Sequence, residues 1–217
     1  MPIGFAIRHG LMRPEHARAL HELFQGGGSI KFSRDTGFKH SVESKRSGLK
    51  RISKSVFLER HSPFSELAEL GFIEVEHRTG GGESFEYKIP KGAGLELLRA
   101  LKEFREPAKP FLASAVDLKV ISPAHVEALR QILPQGWVMF PERGAGKGII
   151  KRGNKTEKLG ERTWRKQLQM YRELVRLELI KGDQQFNPTI FSVHEGKVQE
   201  LVRLLAEYHD FRKLERK

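Results

Sequence analysis

Apolar and polar positions along this chain follow two rhythms, one helical and one alternating, and the order of those rhythms occurs twice. From Pro14, PEHARALHELF sets Ala17, Leu20 and Phe24 on one helical face with Leu23 beside them, and opens with Pro at the first helical position. GSIKF, Gly28 to Phe32, follows a glycine-rich break as the first arm of a hairpin. FSELAELGFIEVE then ends an amphipathic helix and enters a strand. RTGGGESFEYKIP turns and returns as a second strand, and LELLRALKEF closes the set as a helix.

The same order restarts at Pro123 with PAHVEALRQIL, GWVMF, YRELVRLELIKGD, QQFNPTIFSVH and VQELVRLLAEY. Pro14, His16, Ala19, Leu20 and Leu23 align with Pro123, His125, Ala128, Leu129 and Ile132. Glu66, Leu67, Leu70 and Ile73 align with Glu173, Leu174, Leu177 and Ile180. Glu96, Leu97, Arg99, Leu101 and Phe104 align with Glu200, Leu201, Arg203, Leu205 and Tyr208. A repeat decides architecture ahead of any local reading. It predicts an α+β chain of two duplicated domains, 1–105 and 122–217, with equal strand order and with Leu20, Leu129, Leu70 and Leu177 buried. Segment 106–121 is stiffened by Pro107 and Pro110. Phe111, Leu112, Val116 and Leu118 make it too apolar for a free linker, so it is expected to dock.

Each half carries a basic, turn-rich stretch between its opening helix and its long motif. Lys31 to Arg60 and Pro141 to Lys166 each hold nine basic residues against three acidic ones. In the first stretch, Leu49, Ile52 and Val56 have helical spacing, which places Lys50, Arg51 and Lys54 on another face. Ser62-Pro63 then reads as a fresh helix start. In the second half Trp164, Leu168, Tyr171 and Val175 form one unbroken apolar stripe. Arg162, Arg165, Lys166, Gln169 and Arg172 take the remaining surface, and the stripe assigns Trp164 to the core.

Composition sharpens this picture. The net charge is +12, and both halves share it, with 19 Lys and Arg against 14 Asp and Glu in residues 1–110 and 20 against 13 beyond. A basic balance without a basic tail points to a polyanionic partner, above all nucleic acid. With no cysteine, disulfides, thiolate catalysis and cysteine-ligated zinc are excluded, which fits a reducing, cytoplasmic setting. No apolar run is long enough for a membrane span, and the charged N-terminus does not read as a signal peptide.

The succession of helix, basic helical region, helix ending in Leu-x-x-Leu-Gly-Phe-Ile and two-stranded wing resembles the winged helix-turn-helix superfamily. The resemblance is carried by LAELGFIEVEHRTGGGESFEYKIP and LVRLELIKGDQQFNPTIFSVH. It implies two tandem winged-helix domains that bind double-stranded DNA with sequence preference, as a transcriptional regulator or a replication-initiator-like factor. The helix before each motif would enter the major groove, and the wing, tipped by Arg78 with His77 nearby, would touch backbone or minor groove. Two such domains would act as a covalent dimer on successive grooves. Self-association, or contact with other replication or transcription proteins, would accompany that role. Two features depart from the family pattern: the hairpin-like insert after the first helix, and Pro63 within the first candidate recognition helix.

Independently of the resemblance, Arg, Lys and Gln side chains are the ones that read base edges. This assigns Arg162, Arg165, Lys166, Gln169 and Arg172, and in the first half Lys50, Arg51 and Lys54, to the DNA interface. Gly144-Ala145-Gly146-Lys147 fails as a nucleotide loop, because Pro141 stands at the first glycine and Gly148 at the Ser or Thr. Arg143, Lys147, Lys151 and Arg152 are instead expected to hold DNA phosphates. Glu86-Tyr87-Lys88 matches half of a nuclease signature with Asp35 as the only upstream partner, and Ile190 and Ser192 break it in the second copy. The histidines show no metal-ligand spacing, and His16 and His125 read as capping or packing groups. No catalytic residue, metal or cofactor is therefore expected. The alternatives are a metal-dependent nuclease with a winged-helix body and a winged-helix protein-interaction module.

Overall fold

The computed structural model describes residues 12–37, 39–45, 47–141, 147–183 and 189–215. The chain is α+β and divides into two compact units between Pro107 and Ala108. In the first, helix α1 (Pro14–Gln25) leads to strands β1 (Ser29–Asp35), β2 (His40–Ser44) and β3 (Gly48–Ile52). Helix α2 (Lys54–Glu69), strands β4 (Glu74–Thr79) and β5 (Gly82–Lys88) and helix α3 (Gly94–Arg105) complete it. The second opens with the short helix α4 (Phe111–Asp117). It continues through α5 (Pro123–Ile132), β6 (Trp137–Phe140), β7 (Lys147–Arg152), β8 (Lys155–Gly160), α6 (Glu161–Arg176), β9 (Lys181–Asp183), β10 (Thr189–Ser192) and α7 (Val198–Leu214). No described helix is long and apolar enough to cross a membrane.

Both sheets are antiparallel and have the same order, β3-β2-β1-β5-β4 and β8-β7-β6-β10-β9. The duplication read from the sequence is therefore present in the topology. It extends to the cores. Phe32, Phe64 and Tyr87 form a three-ring cluster with centroids 5.3, 5.4 and 6.0 Å apart. Phe140, Tyr171 and Phe191 repeat it at 5.5, 5.4 and 5.6 Å. Leu20, Leu129 and Leu177 are buried as expected, whereas Leu70 is only half-buried.

One histidine pins each unit, and in the same way. The His16 ring accepts from the backbone N–H of Arg13 at 3.2 Å, and its Nε2 lies 3.0 Å from Glu66. His125 accepts from the N–H of Ser122 at 3.0 Å, and its Nε2 lies 3.0 Å from Glu173. A backbone donor at Nδ1 leaves the ring proton on Nε2, so each histidine donates to its glutamate. Histidine thus takes the third-position role of a capping box and ties the opening helix to the long helix.

The long helices also end alike. In the second unit the N–H of Glu178 reaches the carbonyl of Val175 at 2.9 Å, and that of Leu179 reaches Leu174 at 3.1 Å. Gly71 and Phe72 make the equivalent bonds in the first unit, both 2.9 Å. This left-handed C-terminal motif requires positive φ, and Gly71 (φ +75°) supplies it without strain. Glu178 holds φ +56° and buries a carboxylate oxygen that has no hydrogen-bond partner among the described residues. Glu178→Gly is expected to stabilise the second unit by about 1 kcal/mol, measured as a raised midpoint in thermal melts.

Three sequence expectations change. Residues 48–52 form strand β3, because pairing with β2 outweighs a short apolar spacing that also fits a helix. Ser62-Pro63 does not start a helix: α2 begins at Lys54, capped by Ser53 Oγ at 3.3 Å from the N–H of Val56, and runs through Pro63. Phe57 and Phe64, two turns apart, are both buried and hold the helix together across the missing N–H. Finally, 106–121 docks as expected, but the division of the chain falls inside it, between Pro107 and Ala108. Phe111 through Ala115 are buried in α4, and Asp117 bonds to Lys109 at 2.9 Å and to Arg212 of α7 at 2.6 Å. Residues 108–121 thus belong to the second unit.

Candidate nucleic-acid interface

Helix α6 follows Gly160 of β8 directly and is fastened along its inner face. The Trp164 ring lies over Gly148, where a Cβ would collide with it, and its Nε1–H donates to the Ile149 carbonyl at 3.0 Å. Trp164 also meets Phe140 edge-on at 5.9 Å, so its assignment to the core holds. Gly148 thus serves packing. Two turns and more beyond, Tyr171 and Leu174 are fully buried, and Glu173 is held by His125.

This anchoring leaves Arg162, Arg165, Lys166, Gln169 and Arg172 exposed as one stripe on the opposite side. Over 16 residues the helix is about 24 Å long. Arg165 pairs with Glu161 at 2.7 Å, with side chains 63% and 46% exposed, a contact of little net energy that a phosphate or base edge readily replaces. Gln169 reaches Glu173 only at 3.4 Å. The stripe is a row of donors on a rigid rod.

The first unit does not repeat it. Phe64 and Tyr171 occupy the same core site, so the positions of Arg162, Arg165, Lys166, Gln169 and Arg172 are held in α2 by Ser55, Leu58, Glu59, Ser62 and Ser65. Lys50 and Arg51 lie on β3, where successive side chains point to opposite faces, and Lys54 starts α2. The three expected readers of the first half do not share a face. The spacing that suggested one assumed a helix.

Other assigned contacts separate likewise. Arg152 is a strut between the β7–β8 hairpin and α6. It bonds to Glu157 at 2.7 Å and to Gln167 at 2.8 Å with its side chain 18% exposed, so its guanidinium is engaged within the unit. Lys151, one residue away, points to the open side of the sheet. Arg143 lies outside the described residues, as does the side chain of Lys147. Arg78 donates two hydrogen bonds to Glu76, at 2.9 and 2.6 Å, which raises its pKa and offsets its charge locally. His77 stacks on Phe85 at 4.4 Å. The first wing is thus sewn to its own sheet.

The nuclease set does not assemble. Glu86 accepts from Ser29 at 2.7 Å, pairs with Lys88 at 3.1 Å and faces Lys31 across β1. Asp35 is four strand positions from Lys31, about 13 Å away, and caps a turn by accepting from the N–H of Lys39 at 2.8 Å. Among the described residues no cluster of His, Asp or Glu is disposed to hold a metal.

Comparisons with protein-family models, curated proteins and solved structures returned no match.

His61 went unnoticed in the sequence. It stacks on Phe57 at 5.3 Å and lies 2.8 Å from the Tyr87 hydroxyl. Burial lowers its pKa from the ordinary 6.5 and pushes that of Tyr87 up to about 12. A histidine kept neutral contributes stability that is complete above pH 6.5 and is lost as pH falls toward its lowered folded value. Leu168 holds the equivalent position in the second unit. Acidification from about pH 7.5 to 5.5 is expected to lower the melting midpoint of the first unit, and His61→Leu to remove that part of the loss. Circular dichroism melts at the two pH values check this.

Proposed function

We propose that this protein binds double-stranded DNA through its second unit, with α6 in the major groove. The observation that carries the reading is the stripe of Arg162, Arg165, Lys166, Gln169 and Arg172, exposed on a helix whose other face is fastened to a five-stranded sheet. A major groove admits one helix, and these are the side chains that read its edges. The order of opening helix, long helix and two-stranded wing supports the tandem winged-helix reading, with the β2–β3 hairpin in place of the helical pattern expected in the first half and the β7–β8 hairpin at the same place in the second. Sequence preference, and a role in transcription regulation or replication initiation, belong to this proposal. The first unit joins as a body without a cationic reading helix, so the two units are not equal halves of a covalent dimer.

The test is selection of bound duplexes from a random pool, followed by anisotropy titrations of the full chain on a selected and a random duplex across salt. A recovered consensus bound at least tenfold more tightly than random duplex is the expected result. Equal, weak binding to both removes the proposal.

A further inference from the structure

Each unit covers one face of its sheet with helices, and the two open faces differ in kind. Strand alternation sends Ile30, Phe32 and Tyr87 inward in the first sheet, and Val138, Phe140, Ile150 and Phe191 inward in the second. The open face of the first sheet is polar and satisfies itself. Glu86 takes Ser29 and Lys88, and Lys88 also takes Glu76 at 2.9 Å. At the positions of Ser29, Lys31, Ser41 and Glu86, the second sheet carries Trp137, Met139, Ile149 and Ile190. Cross-strand register puts Met139 between Ile190 on β10 and Lys151 on β7, and sets Ile149 against Lys158. Trp137 pairs with Ser192, which pairs in turn with Lys181. Ile190 is 42% exposed, and Trp137, Met139 and Ile149 are half-buried. Lys151, Lys158 and Lys181 are ion-paired to no described carboxylate.

We propose that this face, centred on Trp137, Met139, Ile149 and Ile190 and bordered by Lys151, Lys158 and Lys181, binds single-stranded nucleic acid. Unpaired bases have an apolar π-face that stacks on Trp and lies against Met and Ile, while a ribbon of phosphates meets the bordering lysines. Trp137 and Met139 stand about 7 Å apart along β6, so neighbouring bases are offered separate contacts. Charge selects this occupant over the others. A second copy would bring three lysines against three, and a duplex keeps its base faces stacked inside, leaving the apolar centre unused. The site is separate from the stripe on α6 and does not depend on it.

The test measures the full chain on a labelled oligothymidylate and on a random duplex of equal length. Trp137→Ser and Ile190→Glu install residues that the first sheet already carries at these positions, so both are compatible with the fold. Trp137→Ser is expected to weaken single-strand binding about tenfold, the effect of one lost stacking partner, Ile190→Glu to weaken it by setting a carboxylate against the strand, and both to leave duplex binding unchanged. Lys151→Glu, which leaves the apolar centre intact, is expected to make the salt dependence of single-strand binding shallower by about 0.7. Single-strand binding that is absent in the parent, or unmoved in all three variants, overturns the proposal. So does a loss shared equally with duplex. A parent dimer that Trp137→Ser converts to monomer, or an acidic protein partner captured by the parent and lost in Lys151→Glu, overturns it in favour of a protein interface.

Discussion

Alanine at Arg165 or Lys166 is expected to weaken binding to a selected duplex by about 1–3 kcal/mol each and to flatten the difference between that duplex and a random one. Both side chains are exposed on the outer face of α6, and the helix is anchored through Trp164, Tyr171 and Glu173, so truncation removes donors and leaves the rod in place. Leu58→Ala, at the position of Arg165 in the first unit, should leave duplex binding at the parent level. Arg152→Ala is expected to behave differently again. Its guanidinium joins Glu157 to Gln167, so its loss should lower the melting midpoint of the second unit and leave the salt dependence alone. Titrations by anisotropy on selected and random duplex across salt separate these outcomes. Parent-like binding of the Arg165 and Lys166 variants to both duplexes would falsify the assignment of α6 as the reader.

The duplication was legible because it is written in apolar positions and turn residues, which report local geometry directly. Leu20 with Leu129, Phe32 with Phe140 and His16 with His125 keep their places because each fills a site that the fold repeats. Glu66 and Glu173 were also visible as a matched pair. Their purpose was not, since it needs a histidine 50 residues earlier in the first unit and 48 in the second. The α6 stripe was legible for a simpler reason: an unbroken apolar stripe fixes the other face by subtraction.

The first-half readers were lost to ambiguity of scale. Leu49, Ile52 and Val56 fit a helix as well as a short strand followed by a helix, and only the partner strand decides. Pro63 added to this, because a proline after serine is a start signal locally and an interruption tolerated by packing globally. Once α2 is begun at Lys54, the sequence itself aligns Leu58 with Arg165 and Ser62 with Gln169, and the asymmetry of the two units is plain. The open sheet faces were hidden by the same step, since their contrast appears only when register assigns each residue a side.

Phe140→Ala is expected to destabilise the second unit by about 3–5 kcal/mol and leave the first folded. Phe140 is 2% exposed and touches three rings, Trp164, Tyr171 and Phe191, so its removal opens a cavity at the meeting point of α6, β6 and β10. A loss of this size lowers the melting midpoint of a domain of about 100 residues by well over 10 °C. The chain supplies its own reporter: both tryptophans, Trp137 and Trp164, lie in the second unit. Tryptophan fluorescence should therefore follow the early transition of Phe140→Ala, while circular dichroism shows that transition and a later one at the parent midpoint. Phe32→Ala reverses the pattern, because Phe32 holds the same place among Phe57, Phe64 and Tyr87 of the first unit. Its tryptophan transition should stay where the parent has it. A tryptophan midpoint that falls equally in both variants would mean that the two cores unfold as one, and the division at Pro107 would not be a boundary of stability.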